Sequence, residues 1–171
     1  LQRRVTPSFR AFSSGAEHVA GVLRCLQSNL DDRSLSQQPE WYIRKHIAEF
    51  VVATDNAGNV VGCAQVRDYG RGFVEVMAVS VLPSWQGRGV GGAVMREALR
   101  AARAKRPSTL WLSTEKPEYF ERFGFERFSK WELPLQILLS KVRVVLRQKP
   151  SRWWPLLTGS PVFMRDAGSG H

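Results

Sequence analysis

The stretch SWQGRGVGG, residues 84–92, combines four glycines with an arginine and contains no acidic residue. Glycines let a ligand approach the backbone closely, and successive backbone N–H groups at the start of a helix form a site for an anion. The alanine- and arginine-rich segment that follows the glycines predicts such a helix. The stretch therefore predicts a loop that binds a phosphate group of some cofactor.

Three known phosphate-binding motifs are candidates for a loop of this kind. A Walker loop requires a lysine directly after its last glycine, and none is present here. A dinucleotide fingerprint is spelled by Gly87, Gly89 and Gly92, with Glu115 about 20 residues further on. Residues 83–86 count against it, because they separate the preceding strand from the first glycine, where a dinucleotide turn is tight. A plain glycine-rich turn that caps a helix is the structural alternative.

The third template is Q/R-x-x-G-x-G, matched by Gln86, Gly89 and Gly91 and preceded by V-x-P at residues 81–83. This motif resembles the pyrophosphate loop of the GNAT-fold N-acetyltransferases, which bind acetyl-CoA. The resemblance covers most of the chain, from FRAFSSGAEHV, like the family's first strand and helix, to YFERFGF, like its closing helix and strand. The cofactor on this interpretation is acetyl-CoA, the acyl donor, and no metal is expected.

The resemblance implies an α+β fold with a mixed, largely antiparallel central sheet flanked by helices. Two strands, FVEVMAVSVL and TLWLST, are expected to splay apart and to hold the pantetheine arm of the cofactor between them. The implied cofactor-binding residues lie at the end of the first of these strands and in the loop: Val79, Ser80, Val81, Gln86, Gly87, Arg88, Gly89, Val90, Gly91 and Gly92.

Acetyl transfer to an amine needs a base for the ammonium proton, a donor for the oxyanion and an acid for the leaving thiolate. Glu75, the sole acid in its strand, is the candidate base, and its position is similar to that of the catalytic glutamate in lysine-acetylating members of the family. Alternation along the strand is expected to place four residues on one face: Glu75, Met77, Val79 and Val81. The alternative is a structural Glu75 that reaches solvent or pairs with Arg67 or Arg71.

The acid for the thiolate departs from the family pattern. The usual tyrosine, four residues before the glycine of a G-F pair, is replaced here by Phe120. Tyr119 is adjacent, but on a helix it points about 100° away. The segment LSTEKPEYFERFGF resembles members related to N-acetylglutamate synthase, which also carry Phe at this position. Tyr119 and a water molecule are therefore both candidates, and Ser113 and Thr114 could orient that water or cap the next helix.

The composition indicates one soluble globular domain of 171 residues, 43% of them apolar, with no apolar run approaching the ~18 residues of a membrane span. We expect a basic tail over residues 1–6, the N-acetyltransferase domain over 7–166 and a flexible tail over 167–171. Cys25 and Cys63 lack metal-ligand spacing, so neither a zinc site nor a disulfide framework is expected.

The net charge of +10 attracts polyanions, but nucleic acid is disfavoured because no RNA-binding motif or zinc-finger spacing accompanies it. The basic, amphipathic segment 135–154 is either a surface for anionic membrane or a protein partner, or a helix packed on its own sheet. The arginines and hydroxyl residues of the first 14 residues indicate either the remnant of a plastid or mitochondrial targeting segment or the basic tail of a cytoplasmic protein.

Apolar periodicity and turn residues predict the elements that position the candidate site. A strand, two helices and three antiparallel strands precede the glycine loop. The elements expected on either side of it are a strand over 7–13, a helix capped by Ser13 or Ser14 that carries Val19, Val22, Leu23, Leu26 and Leu30, a short helix over 41–47, a helix over 91–106, a strand over 109–114, a short helix over 117–123 and a last strand over 160–166.

These observations predict an acetyl-CoA-dependent N-acetyltransferase that acts on a primary amine. Protein lysine, a protein N-terminus, a polyamine and an amino acid are all open as acceptors. The alternative is a catalytically weak acyl-CoA-binding sensor or interaction module, which the missing tyrosine favours and Glu75 disfavours.

Overall fold

The computed structural model describes residues 8–29, 38–146 and 161–168. Its strands are β1 Phe9–Ser13, β2 Phe50–Asp55, β3 Val60–Asp68, β4 Phe73–Val81, β5 Thr109–Thr114, β6 Phe125–Arg127 and β7 Val162–Asp166. Its α-helices are α1 Val19–Gln27, α2 Glu40–His46, α3 Val90–Ala104, α4 Pro117–Glu121 and α5 Leu135–Leu146. The predicted tail over 1–6 and residues 169–171 of the predicted C-terminal tail lie outside the described residues.

The seven strands form one sheet in the order β1-β2-β3-β4-β5-β7-β6. Every neighbouring pair is antiparallel except β4 and β5, which are parallel and joined by the glycine loop and α3. The sheet confirms the predicted α+β class, with an antiparallel half followed by one strand-loop-helix-strand unit. The glycine loop therefore lies at the centre of the sheet, where its two halves meet.

Helices cover both faces of this sheet. α3 packs across β1 to β4, while α1 and α2 pack together on the opposite face. The side of α3 that faces the sheet is fully buried: Val90, Val94, Met95, Ala98, Leu99 and Ala102. Both faces of the sheet are covered, so β3 contains a buried apolar run over 60–64 and β5 one over 110–112.

A bulge in β4 corrects the predicted alternation along that strand. Cys63 pairs with Ser80, and Gln65 pairs with Met77. Between these two pairs β3 has one residue and β4 has two. Ala78, one of these two, has a φ of +54°, the left-handed conformation found in bulges. The extra residue reverses the faces, so Val79 and Val81 pack on the α3 side and do not share a face with Glu75 and Met77.

The basic segment 135–154 is described only in its first part. α5 begins as predicted, and Ile137 packs with Leu133 against the buried Trp111 of β5. Leu135 and Leu139 are exposed on the other side of the helix. Residues 147–154 lie outside the described part of the chain, and contact with a membrane or partner stays a prediction.

Among the described residues, no helix has the length and apolar character that crossing a bilayer requires.

Candidate active site

A groove opens where the two parallel strands separate. β4 and β5 are paired only from Phe73↔Thr109 to Glu75↔Trp111. Beyond Glu75 the two strands diverge, and β5 continues its pairing with β7 on its other side. The edge of β4 from Val76 to Val81 therefore has backbone N–H and C=O groups that no strand satisfies on the β5 side. Such groups are obligatory hydrogen-bonding groups and are available to a ligand.

The glycine loop closes one end of this groove. Gly87 and Gly89 have φ values of +73° and +84°, a left-handed backbone conformation that residues with a side chain adopt only at a cost in energy. The left-handed Gly89 is the residue at which α3 begins, so the first backbone N–H groups of the helix have no partner within it. Together with the partial positive charge of the helix N-terminus, these groups form a site for a pyrophosphate.

Eight of the ten predicted cofactor-binding residues line this groove, which has a volume of about 910 Å³: Val79, Ser80, Val81, Gln86, Gly87, Gly89, Gly91 and Gly92. Two do not. The Val90 side chain is buried in the core beneath α3, and only its backbone faces the loop. Arg88 is exposed and lies over the ring of Trp85, with 5.6 Å between its Cζ and the ring centroid. The binding of the cofactor itself stays a prediction for all ten.

Asn29, at the end of α1, is a groove residue that the sequence analysis missed. Leu82 donates its N–H to Val61 of β3, so the carbonyl of Val81, on the other side of that planar peptide, points away from β3 and into the gap. The amides of Asn29 and Gln86 donate to this carbonyl at 3.0 and 3.2 Å. The two side chains also bond each other at 3.1 Å, so they fix the end of β4 against the loop.

The charged side chains that line the groove are all basic among the described residues: Arg96, Lys116 and Arg122. Arg96 lies one helical turn after Gly92, with its Nη1 3.4 Å from where a Cβ on Gly92 would be. Arg122 lies 3.9 Å above the ring of Tyr119. Helical spacing from the glycines would have identified Arg96, whereas the place of Arg122 depends on how α4 packs.

Tyr119 and Phe120 both line the groove. The Tyr119 hydroxyl lies only 2.8 Å from the position that a Cβ on Gly91 would take, so it sits beside the first turn of α3. Burial raises the pKa of Tyr119, and the charges of Arg122 and Arg96 partly offset this effect. The phenol therefore stays protonated at neutral pH and can donate a hydrogen bond or a proton into the groove.

Glu75 lies at the closed end of the gap, in the last pair that joins β4 to β5. Its side chain is fully buried, and Tyr69 donates a hydrogen bond to its Oε2 at 2.7 Å. Burial, reinforced by this carboxylate, raises the pKa of Tyr69, so the phenol remains a donor across the physiological range. Glu75 therefore does not reach solvent as in the structural alternative, and Tyr69 is a neighbour that the sequence analysis did not identify.

A hydrogen-bonded polar cluster extends from Glu75 across the face opposite α3. The guanidinium of Arg67, the strand partner of Glu75, lies 5.3 Å from the Tyr69 ring centroid and donates to the Tyr42 hydroxyl at 2.6 Å. Gln65 donates to the same hydroxyl at 3.1 Å. Such a set of half-buried polar groups beside the gap suits the recognition of a polar small molecule.

Thr114 ends β5 beside the groove. Its hydroxyl accepts a hydrogen bond from the backbone N–H of Lys116 at 3.0 Å. Lys116 is itself the N-cap of α4, and no side chain caps that helix, so Thr114 does not have the capping role that the sequence suggested. Ser113 is exposed and lines the groove. In the described part of the chain, no three His, Cys, Asp or Glu side chains come together in a way that would hold a metal ion.

Comparison with known proteins agrees with this geometry. Residues 46–127 match the acetyltransferase (GNAT) domain family. An uncharacterized N-acetyltransferase from Chlorobaculum tepidum is 26% identical over 95 residues, which cover 56% of this chain and 61% of that protein. An amino-acid acetyltransferase from Mycobacterium tuberculosis is 33% identical over 81 residues, or 46% of this chain and 47% of that protein. The chain thus matches less than two thirds of the length of these relatives.

Two solved structures share the fold. A protein from Mycobacterium tuberculosis in complex with CoA has a TM-score of 0.75 and 21% identity, covering 90% of this chain and 96% of its own. N-acetylglutamate synthase from Neisseria gonorrhoeae, complexed with coenzyme A and N-acetyl-glutamate, has a TM-score of 0.73 and 20% identity, covering 93% of this chain and 35% of its own. This chain therefore has the GNAT fold, and its residues 46–127 match the acetyltransferase (GNAT) domain family.

Proposed function

We propose that this protein transfers the acetyl group of acetyl-CoA to a primary amine. The observation that carries the proposal is the gap between two parallel strands that opens directly onto a glycine-rich helix start. The exposed edge of β4 offers hydrogen bonds to the amides of the pantetheine arm, and the loop offers N–H groups to the pyrophosphate. In the reaction the amine nitrogen bonds to the acetyl carbon, the C–S bond breaks, the amine loses a proton and the coenzyme A thiolate gains one.

Glu75 is the proposed base for the proton of the amine. Glu75 belongs to the last residue pair that joins β4 to β5, beside the closed end of the gap, although its fully buried side chain is not among those that line the groove. We expect the thioester end of the arm to lie at this end of the gap. The hydrogen bond from Tyr69 and the packing of that ring against Trp111, 6.2 Å away, hold the carboxylate in one orientation. Because the base is already fixed in place, binding of the amine costs little further side-chain entropy.

The proposed acceptor is an amino acid. Arg67 is half-buried between two tyrosine rings, and it makes no ion pair with any carboxylate of the described residues. A guanidinium held in this way is suited to bind a carboxylate through two parallel hydrogen bonds. With the carboxylate of an amino acid on Arg67, its α-amine would be on the side of Glu75. Support also comes from the Mycobacterium tuberculosis relative, an amino-acid acetyltransferase, and from the N-acetyl-glutamate bound by the Neisseria protein.

The test is release of free thiol from acetyl-CoA in a screen of amino acids, polyamines, lysine peptides and peptides with a free N-terminus. We expect an amino acid to give the highest kcat/KM. Arg67→Gln should raise the KM for that amino acid about 10-fold or more, because it removes a charged hydrogen-bond donor, while leaving the KM for acetyl-CoA unchanged. Turnover of polyamines or peptides alone would contradict the amino-acid acceptor. Binding of CoA with no thiol release from any acceptor would instead favour the acyl-CoA-binding module.

Tyr119→Phe tests the acid for the leaving thiolate. If the Tyr119 hydroxyl protonates the thiolate, its removal should lower kcat about 10²- to 10⁴-fold with little change in the KM for acetyl-CoA. The ring stays in place, so its packing against Phe120 and Phe123 is kept. Wild-type activity would assign proton donation to water. Phe120→Tyr is the companion variant, and a faster enzyme would show that this chain lacks an acid at the usual position.

A further inference from the structure

Two arginines outside the predicted cofactor motif flank the glycine loop. Arg96 lies in α3, where it is exposed and lines the groove one turn beyond Gly92. Arg122 directly follows α4 and lines the same groove. The Nη1 of Arg96 lies 3.4 Å from where a Cβ on Gly92 would be. Arg122 lies 3.9 Å above the ring of Tyr119, whose hydroxyl is 2.8 Å from where a Cβ on Gly91 would be, so both arginines lie close to the start of α3.

Neither guanidinium forms an ion pair with a carboxylate of the described residues. No hydrogen bond or ion pair from Arg96 to another described residue is present. Arg122 is held over the Tyr119 ring, and its Nε donates to the Tyr119 carbonyl at 2.9 Å. That contact fixes the guanidinium plane, and no described residue accepts a hydrogen bond from its two terminal nitrogens. By contrast, Arg100, one turn further along α3, is paired with Glu97 at both its Nε and its Nη2 and does not line the groove.

The charges of the cofactor exceed what the loop alone can bind. The backbone N–H groups at the start of α3 suit the pyrophosphate, which the loop glycines let approach. Coenzyme A carries a further phosphate on the 3′-hydroxyl of its ribose, outside the pyrophosphate. A phosphate monoester of this kind is nearly a dianion at neutral pH, and planar guanidinium groups bind it through paired hydrogen bonds.

We propose that Arg96 and Arg122 bind the 3′-phosphate of coenzyme A and so make this protein select the cofactor over its 3′-dephosphorylated form. The inference rests on the proposed function, since it assumes that coenzyme A occupies the groove. It adds a phosphate subsite to the pyrophosphate loop and assigns to it one side chain from α3 and one from the end of α4.

The experiment measures the dissociation constants of CoA and of 3′-dephospho-CoA by isothermal titration calorimetry. For the wild-type protein we expect CoA to bind about 10-fold or more tightly than dephospho-CoA, because the lost contacts are hydrogen bonds between charged groups. Arg96→Gln and Arg122→Gln should each weaken CoA binding and leave dephospho-CoA binding unchanged, so the ratio of the two constants falls towards one. Both side chains are exposed, so the unliganded melting temperatures should stay close to that of the wild type.

Arg100→Gln is the matched control, because it removes the same charge from the same helix outside the groove. It should keep the wild-type ratio. Equal affinity of the wild-type protein for the two ligands would overturn the inference. An equal loss for both ligands in the Arg96 and Arg122 variants would also overturn it, since the arginines would then bind the pyrophosphate. If neither ligand bound the wild-type protein, the proposed function itself would fail, and this outcome differs from both of the others.

Discussion

Replacing Glu75 with glutamine is expected to lower the kcat of acetyl transfer by about 10²- to 10⁴-fold near neutral pH, the usual cost of losing a general base. Glutamine keeps the size of the side chain and can still accept the hydrogen bond from Tyr69, so the packing around it should survive. The KM for acetyl-CoA should barely change, because the backbone of β4 and the loop are the proposed cofactor contacts. The measurement is steady-state thiol release at saturating acceptor.

The pH dependence separates this chemical role from a structural one. A base is needed only while the amine is protonated, so the loss of rate in Glu75→Gln should be largest near neutral pH. The loss should shrink at high pH, where more of the amine is already neutral. Glu97→Gln, an exchange of the same kind in the exposed Arg100 ion pair of α3, should behave like the wild type. A Glu75→Gln enzyme with normal rate and pH profile would make Glu75 structural.

The second large effect is expected from Gly92→Leu, which should abolish the stabilisation of the protein by acetyl-CoA. A ligand at about 100 times its Kd stabilises the native state by about 2.7 kcal/mol, or roughly 5–10 °C in the Tm of a domain of this size. A leucine side chain at Gly92 would project into the groove. Among the described residues outside its immediate neighbours and the backbone of its own helix, the new Cβ would approach only the Nη1 of Arg96, at 3.4 Å. The measurement is the thermal shift with and without acetyl-CoA.

Gly92 is a better probe than its neighbours in the loop. A Cβ at Gly91 would lie 2.8 Å from the Tyr119 hydroxyl, and a side chain at Gly89 would be strained by the φ of +84°, so both substitutions would disturb the unliganded protein. Gly92 is helical, and leucine is the better helix former by roughly 0.8 kcal/mol, so the unliganded Tm should hold or rise.

Arg100→Leu, which places the same side chain on α3 outside the groove, should keep the wild-type shift. A full shift in Gly92→Leu, or a larger shift of the wild-type protein with NAD than with acetyl-CoA, would refute the assignment of the cofactor.

Much of this protein could be predicted from local sequence patterns. The glycine loop, the strand before it and the helix after it are contiguous, and their signals are short-range: backbone freedom at Gly87 and Gly89, apolar runs, and helical spacing. Helical spacing also places Arg96 on the side of the helix that carries Gly92. These features determined the α+β class and the predicted phosphate loop, and the structure confirms the fold.

Tertiary structure alone decided how the side chains of β4 are distributed between the faces of the sheet. A strict alternation put Val79 and Val81 with Glu75, but pairing with β3 inserts a bulge at Ala78 and reverses the faces. The sequence of one strand does not show whether its partner strand has the same number of residues between two paired positions, so it cannot predict a bulge. The same holds for Tyr69, which meets Glu75 only because the β3–β4 hairpin folds back on itself.

The sequence by itself therefore determined which residues form the loop and which acid lies in the central strand, because these depend on backbone propensity and periodicity. The tertiary structure decided what surrounds them. The end of α1 brings Asn29 to the Val81 carbonyl, and the packing of α4 brings Arg122 over Tyr119. Contacts between residues so distant in the chain arise from the packing of whole elements on the sheet, and that packing is set by the summed burial of many apolar side chains and not by any local motif.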